Sequence, residues 1–197
     1  RALRSITALG GAGLLLASAG KHGKAWRDVS VFGDPEVGAS LAQVASRGGS
    51  DLAFAVGPLP NARREAEGIA ALFPGARLYL GAEATEERAL GELESSRILH
   101  IAAHAFTDNR HPRYSGLVLA PGREAGRDGL LQAYEVAARR GDLDLVTLSA
   151  CETGRGQLRR GEGLLGLARA FRVAGARDLV VSLWKVDDAS TADFMLA

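Results

Sequence analysis

One cysteine, one methionine and a 6% share of aromatic residues are what this 197-residue chain has least of. A single thiol excludes an internal disulfide, fits a reducing, cytoplasmic compartment, and leaves any cysteine chemistry to Cys151. With so few rings, the core has to be built from alanine, leucine and valine, and the 25 glycines allow close helix–sheet approach. An excess of one charge is also missing. The 24 basic and 23 acidic residues give a net charge of +1, so there is no electrostatic case for a nucleic-acid or membrane-surface partner. No apolar run is long enough to cross a bilayer. The fourteen residues Ile6–Ala19 follow Arg1 and Arg4 and end in small residues. They read either as a buried strand–turn–helix or as a secretory signal. What is present is a 47% hydrophobic share, enough for the core of one α/β domain. The chain starts at Arg1 and ends within the helical pattern DDASTADFMLA, and so reads as a fragment of something longer.

Beyond residue 50 the hydrophobic period alternates between that of helices and that of strands. In ARREAEGIAALF, Ala62, Ala66, Ile69, Ala70 and Phe73 share one helical face with charges opposite, and Pro74–Gly75 stops the helix. ARLYLG is a short strand. Thr85 is placed to cap a helix that carries Glu86 and Glu87 in its first turn, where carboxylates suit the helix dipole. Strands are expected over Arg97–Ala102, SGLVLAPG, Leu143–Ser149 and Asp178–Leu183, and helices over Leu131–Arg140 and after the loop Gly154–Gly163. In that last helix Leu164, Leu167, Ala168 and Phe171 follow the i, i+3, i+4, i+7 spacing, and Gly175 ends it. The polar segment 106–113 and the stretch Gly122–Gly129 read as loops. Nearly all-apolar strands alternating with helices imply a mostly parallel sheet covered on both faces. There is no internal repeat or low-complexity tract.

In such sheets functional groups collect beyond the carboxyl ends of the strands. His104 follows the strand in RILHIAAH, and Cys151 follows the strand in LVTLSACETGRG. A thiol is only a few per cent ionised near neutral pH, so a nearby base is what makes it reactive. If the two strands are neighbours, the pair meets without further contrivance. Taken singly, each residue has a blander reading: the cysteine as a small core hydrophobe, the histidine as a hydrogen-bonded structural residue. HIAAH also spaces His100 and His104 four apart. It lacks the glutamate of HExxH and reads as strand, so neither zinc nor any other metal or cofactor is expected. The run Gly10–Leu15 lacks the lysine of a phosphate loop and reads as packing.

The strings LPNARREAEGIAALFPGA, LYLGAEATEE, RILHIAAHA, SGLVLAPG, DGLLQAYEVA, DLVTLSACETGRG and GEGLLGLARAFRVAGARDLVVSLWKVDD, with FGDP at Phe32–Pro35, resemble the CHAT family. These are caspase-like clan CD peptidase domains, often attached to tetratricopeptide repeats. The resemblance covers about residues 58–197 in the family's order and is loose over Arg1–Trp26. It implies a caspase-like three-layer α/β sandwich over residues 31–197, truncated at its C-terminus, with 1–30 as an N-terminal part of the same domain. The histidine-then-cysteine order also agrees with caspase spacing.

The resemblance makes His104 the catalytic base and Cys151 the nucleophile of a cysteine endopeptidase acting on a protein or peptide through a thioester. The backbone N–H groups of Cys151 and Ala105 would stabilise the oxyanion. Where the family has a glycine after the histidine, this chain has Ala105, which keeps the N–H but disfavours positive φ. A left-handed turn at that point would therefore be strained. Glu152 stays open between an ion pair and substrate contact. In Gly161-Glu162-Gly163 the carboxylate suits the following helix N-terminus. Related separases place an acidic residue in a WxVxD pattern, which falls here on Asp188. Asp188 reads either as a helix cap or as a pocket carboxylate selecting arginine or lysine before the cut. Arg155, Arg159 and Arg160, with Arg110, Arg113, Arg123 and Arg127, are solvated loop charge or sites of self-cleavage. The competing reading of the whole is an inactive CHAT domain serving as a regulatory or interaction module beside a repeat region.

Overall fold

The computed structural model describes residues 28–38, 59–108, 111–150, 162–181 and 188–196, the side chains of 162–164 and 188–190 excepted. The readings placed on Ile6–Ala19, Gly10–Leu15, Cys151, Glu152 and residues 154–161 of the loop Gly154–Gly163 fall outside these residues, whereas Glu162 and Gly163 belong to a helix. The main element order is β1 (Val29–Pro35), α1 (Pro60–Ala71), β2 (Arg77–Gly81), α2 (Glu86–Ser95) and β3 (Ile98–Ala102). There follow β4 (His104–Phe106), β5 (Gly116–Val118), β6 (Leu130–Gln132) and α3 (Ala133–Ala137). The chain continues through β7 (Leu145–Ser149), α4 (Glu162–Ala174), β8 (Asp178–Val181) and α5 (Asp188–Leu196).

Five strands form one parallel sheet in the order β2-β1-β3-β7-β8. Because side chains alternate along a strand, each strand supplies both faces. Val29, Val31, Ile98 and Leu145 pack with Ala66 and Ile69 of α1 and with Leu196 of α5. Phe32, Leu99, Ile101, Val146 and Leu148 pack on the other face with Leu90 and Leu93 of α2, Val136 of α3, and Leu167 and Phe171 of α4. The result is the expected α/β three-layer sandwich. The chain leaves β1 toward β2 in one direction and then runs back through β3, β7 and β8 in the other. Right-handed crossovers then place α1 on one face and α2, α3 and α4 on the opposite one. The reversal opens a switch point at the carboxyl ends of β1 and β3.

Local rules account for most boundaries. Thr85 Oγ1 accepts from the Arg88 N–H at 3.2 Å and caps α2. Gly175, at φ 116°, ends α4 in a conformation other residues resist, and the Cβ of any replacement would fall 2.1 Å from the Gly141 carbonyl oxygen. Gly33 lets α1 lie directly on β1: a Cβ there would stand 2.5 Å from that of Ala66. Two expectations need correction. The helix foreseen over Leu131–Arg140 is only Ala133–Ala137, because Leu130–Gln132 pairs with β5 as a strand. The helix begins where Gln132 and Glu135 form a capping box. The loop expected over 106–113 loses only its first residue: Phe106 ends the strand His104–Phe106, which joins β5 and β6 in a three-stranded antiparallel sheet.

Candidate functional site

Strands β3 and β7 are hydrogen-bonded neighbours in parallel register, ending with Ala102 opposite Ser149. The Ala103 N–H donates to the Ser149 carbonyl at 3.3 Å and extends the pairing by one residue. His104 comes next and opens β4, opposite Val118 of β5. It is 7% exposed. Cys151 follows Ser149 by two positions in sequence, as His104 follows Ala102, and lies outside the described residues. Ala105 is fully buried and pairs with Leu117. Its backbone is extended, since among the described residues only Asp28 and Asp34 carry a positive φ without being glycine. The anticipated strain after the histidine is therefore absent. Asp188 is the first residue of α5, and its side chain is outside the description.

Directly behind this rim lies a polar cluster that periodicity alone did not single out. Glu65, on α1, is 2% exposed and points at the sheet. Its Oε1 stands 2.9 Å from His100 Nε2, and its Oε2 accepts from Ser149 Oγ at 3.0 Å. His100 is fully buried and sits in register with Thr147, itself 2% exposed. Despite the short His100–Glu65 distance, the direction between them is poor. Among the described residues, Glu65 Oε1, both His100 ring nitrogens and Thr147 Oγ1 lack a well-directed hydrogen bond. A signal was present in the sequence. Glu65 stands three residues after Ala62 in the apolar stripe of α1, and His100 shares strand parity with Ile98 and Ala102.

A second acidic group sits after the carboxyl end of β2. Glu86 is fully buried at the start of α2, where its Oε2 accepts from the Gly129 N–H at 3.0 Å and its Oε1 from Arg127 at 3.1 Å. Burial first, and then the nearby Glu135 carboxylate, push its pKa up to about 7 against the pull of Gly129 and Arg127. The cluster ties the Gly122–Gly129 loop to α2. Arg127 is thereby engaged rather than free loop charge, and Arg113 stacks over the Tyr114 ring at 4.7 Å. No helix among the described residues is long and apolar enough to cross a membrane.

Comparison with known proteins adds the family. Tetratricopeptide repeat protein 28 of Mus musculus is 29% identical over 177 aligned residues, covering 72% of this chain and 7% of that protein. Its namesake from Homo sapiens is 27% identical over the same span. The chain thus matches only a small fraction of the length of these relatives. The sequence model of the CHAT domain matches residues 8–197. With a parallel caspase-like sandwich and nearly its whole length matched, this chain belongs to the CHAT domain family.

Proposed function

We propose that the domain is a cysteine endopeptidase in which His104 and Cys151 act as a dyad. One observation carries the reading: β3 and β7 are adjacent and in register at Ala102 and Ser149, and each proposed reactive residue follows two positions later. Adjacent parallel strands run about 4.8 Å apart, so residues leaving them at one level start within side-chain reach. In this reading His104 takes the Cys151 thiol proton and the sulfur attacks the scissile carbonyl. The N–H groups of Cys151 and Ala105 stabilise the oxyanion. The imidazolium then protonates the departing amine, and water releases the acyl group from the thioester. Asp188, on this reading, selects a basic residue before the cut. A single thiol and a charge-balanced surface fit a cytoplasmic enzyme with a protein or peptide substrate.

A second reading has one observation of its own. At 7% exposure His104 is largely covered in this conformation, which suits either a latent enzyme opened by contacts with a repeat region or an inactive interaction module. Labelling of the full-length protein by peptidyl acyloxymethyl ketones separates them. The enzyme reading expects modification at Cys151, fastest with arginine before the reactive carbonyl, and a loss of about 100-fold or more in His104→Ala. Labelling indifferent to His104 would leave a bystander thiol and the module reading. Preference for aspartate or leucine would remove the role of Asp188 alone.

A further inference from the structure

The buried cluster beneath the rim has no part in the dyad chemistry, and stability does not account for it. The face of the sheet that meets α1 is otherwise apolar, made of Val29, Val31, Ile98, Leu145, Ala66, Ile69 and Phe73. A carboxyl group, an imidazole and two hydroxyls interrupt it, each less than a tenth exposed. Buried polar groups cost stability unless they are fully hydrogen-bonded, and apolar replacements of similar volume are often neutral or better. Four polar atoms of this cluster lack a directed partner. A site that natural packing could fill with aliphatic groups, yet fills with under-satisfied polar ones, points to something other than cohesion.

Its position supplies the reason. The Glu65 carboxyl group spans the two strands from outside, reaching His100 on β3 with one oxygen and Ser149 on β7 with the other. Ser149 is held twice. Its hydroxyl donates to Glu65, and its carbonyl accepts from the N–H of Ala103, the residue before His104. One serine thus ties the last turn of backbone before Cys151 both to the backbone entering His104 and to α1. In a chain leaving a strand end, a fixed hydroxyl and a fixed carbonyl on one residue restrict the rotation of that residue.

We propose that Glu65 and Ser149 are positioning residues that hold the two strand ends at the separation and orientation the dyad needs, Ser149 acting as the joint. The inference rests on the cysteine-peptidase reading above. Its consequence is that reactivity at Cys151 depends on a hydroxyl at 149 and a carboxyl group at 65, whereas affinity for a peptide probe does not.

The test is the kinetics of acyloxymethyl ketone labelling in the full-length protein, resolved into the inactivation rate and the apparent probe affinity. Ser149→Ala and Glu65→Gln are each expected to lower the inactivation rate about tenfold or more while leaving probe affinity within about twofold. Such losses of transition-state positioning without loss of binding are typical of displaced reacting groups. Ser149→Thr, which keeps the hydroxyl on a residue suited to strands, is expected to restore the rate to within about threefold of the unaltered protein. Equal inactivation rates in all four proteins would overturn the proposal while leaving the dyad intact. So would a loss in Ser149→Ala that Ser149→Thr does not repair. Absence of His104-dependent labelling in the unaltered protein would instead remove the underlying reading, and the proposal with it.

Discussion

The two ends of the parallel sheet treat buried polar groups in opposite ways. At the amino ends of the strands the buried polar side chains among the described residues have hydrogen-bond partners. Glu92 of α2 accepts from Ser30 at 2.9 Å, Tyr79 at 2.7 Å, Ser95 at 2.8 Å and Ser96 at 2.7 Å, and pairs with Arg77 at 2.8 Å. Alongside, Arg97 grips Asp144 through two nitrogens at 3.0 and 2.9 Å and also pairs with Asp142, while Arg177 bridges the same two carboxylates at 2.6 and 2.8 Å. From mid-strand toward the carboxyl ends, Glu65 and His100 meet at 2.9 Å without a directed hydrogen bond, Thr147 Oγ1 has no directed partner among the described residues, and Glu86, though it accepts from Gly129 and Arg127, is fully buried beside another carboxylate. Asp34, at the end of β1, adds a left-handed φ of 47° where the register with β2 slips. The difference teaches where the fold keeps cohesion and where it keeps adjustable chemistry, since ligands of such sheets gather at the carboxyl rim.

The comparison breaks most readily at Glu92. Glu92→Ala removes five partners at once and leaves Arg77, Tyr79 and three serines without their acceptor. Breaking a largely buried, hydrogen-bonded pair from one side costs about 3 kcal/mol, a large share of the stability of a single domain. Urea denaturation followed by far-ultraviolet circular dichroism measures it. A loss under about 1 kcal/mol would show that the amino-end network is ornament rather than anchor.

Acidity sharpens the same contrast, with a smaller effect. Burial raises the pKa of Glu92, but hydrogen bonds from Tyr79, Arg77, Ser96 and Ser95 outweigh it and bring the group from 4.5 down to about 2. Its contribution is complete above pH 4.5 and is lost as pH falls toward 2. Glu86 moves the other way, from 4.5 up to about 7, so its contribution is complete below pH 4.5 and is lost as pH rises through 7. Glu135, raised chiefly by burial, adds to that trend, with Asp128 and Arg127 as the other charges at the cluster. The melting temperature is therefore expected to fall by a few degrees between pH 5 and 8. Glu86→Gln, which no longer ionises, is expected to flatten most of that slope. An unchanged slope in Glu86→Gln would place the titration elsewhere.

The amino-end anchor and the parallel sheet differ in how far sequence reveals them. Strands β3 and β7 announce themselves because both faces are covered and their residues are nearly all apolar, and Thr85 announces α2 through cap chemistry. Of the three-residue strands, β5 shows itself in SGLVLAPG, but β4 and β6 do not, since three residues carry too little period and their pairing depends on partners brought up by turns such as the one at Gly129, φ 87°. His104 was legible as a candidate from its place after a strand. Glu65 was harder to read: it stands three residues after Ala62 in the stripe of α1, but its charge reads as surface until Ser149, 84 residues away, is folded against it. Tertiary partners, rather than local pattern, decide whether a carboxyl group on an amphipathic helix faces water.

The smallest expected effect is the most informative one. The combined change Glu65→Leu, His100→Val and Ser149→Ala replaces the under-satisfied cluster by aliphatic groups on a face already lined by Val31, Ile98 and Leu145. At the amino ends an equivalent exchange would strip a saturated network. Here it removes three atoms that lack directed partners together with both partners of one hydrogen bond, Ser149 Oγ to Glu65 Oε2, so global stability is expected to stay within about 1 kcal/mol of the unaltered protein or to rise slightly. Labelling at Cys151 should meanwhile collapse. A triple variant that loses more than about 2 kcal/mol would mean that the cluster holds the sheet together after all. The two ends of the sheet would then differ in geometry but not in purpose. A variant that keeps its stability and loses its reactivity separates cohesion from positioning within one fold, because the same strands carry both.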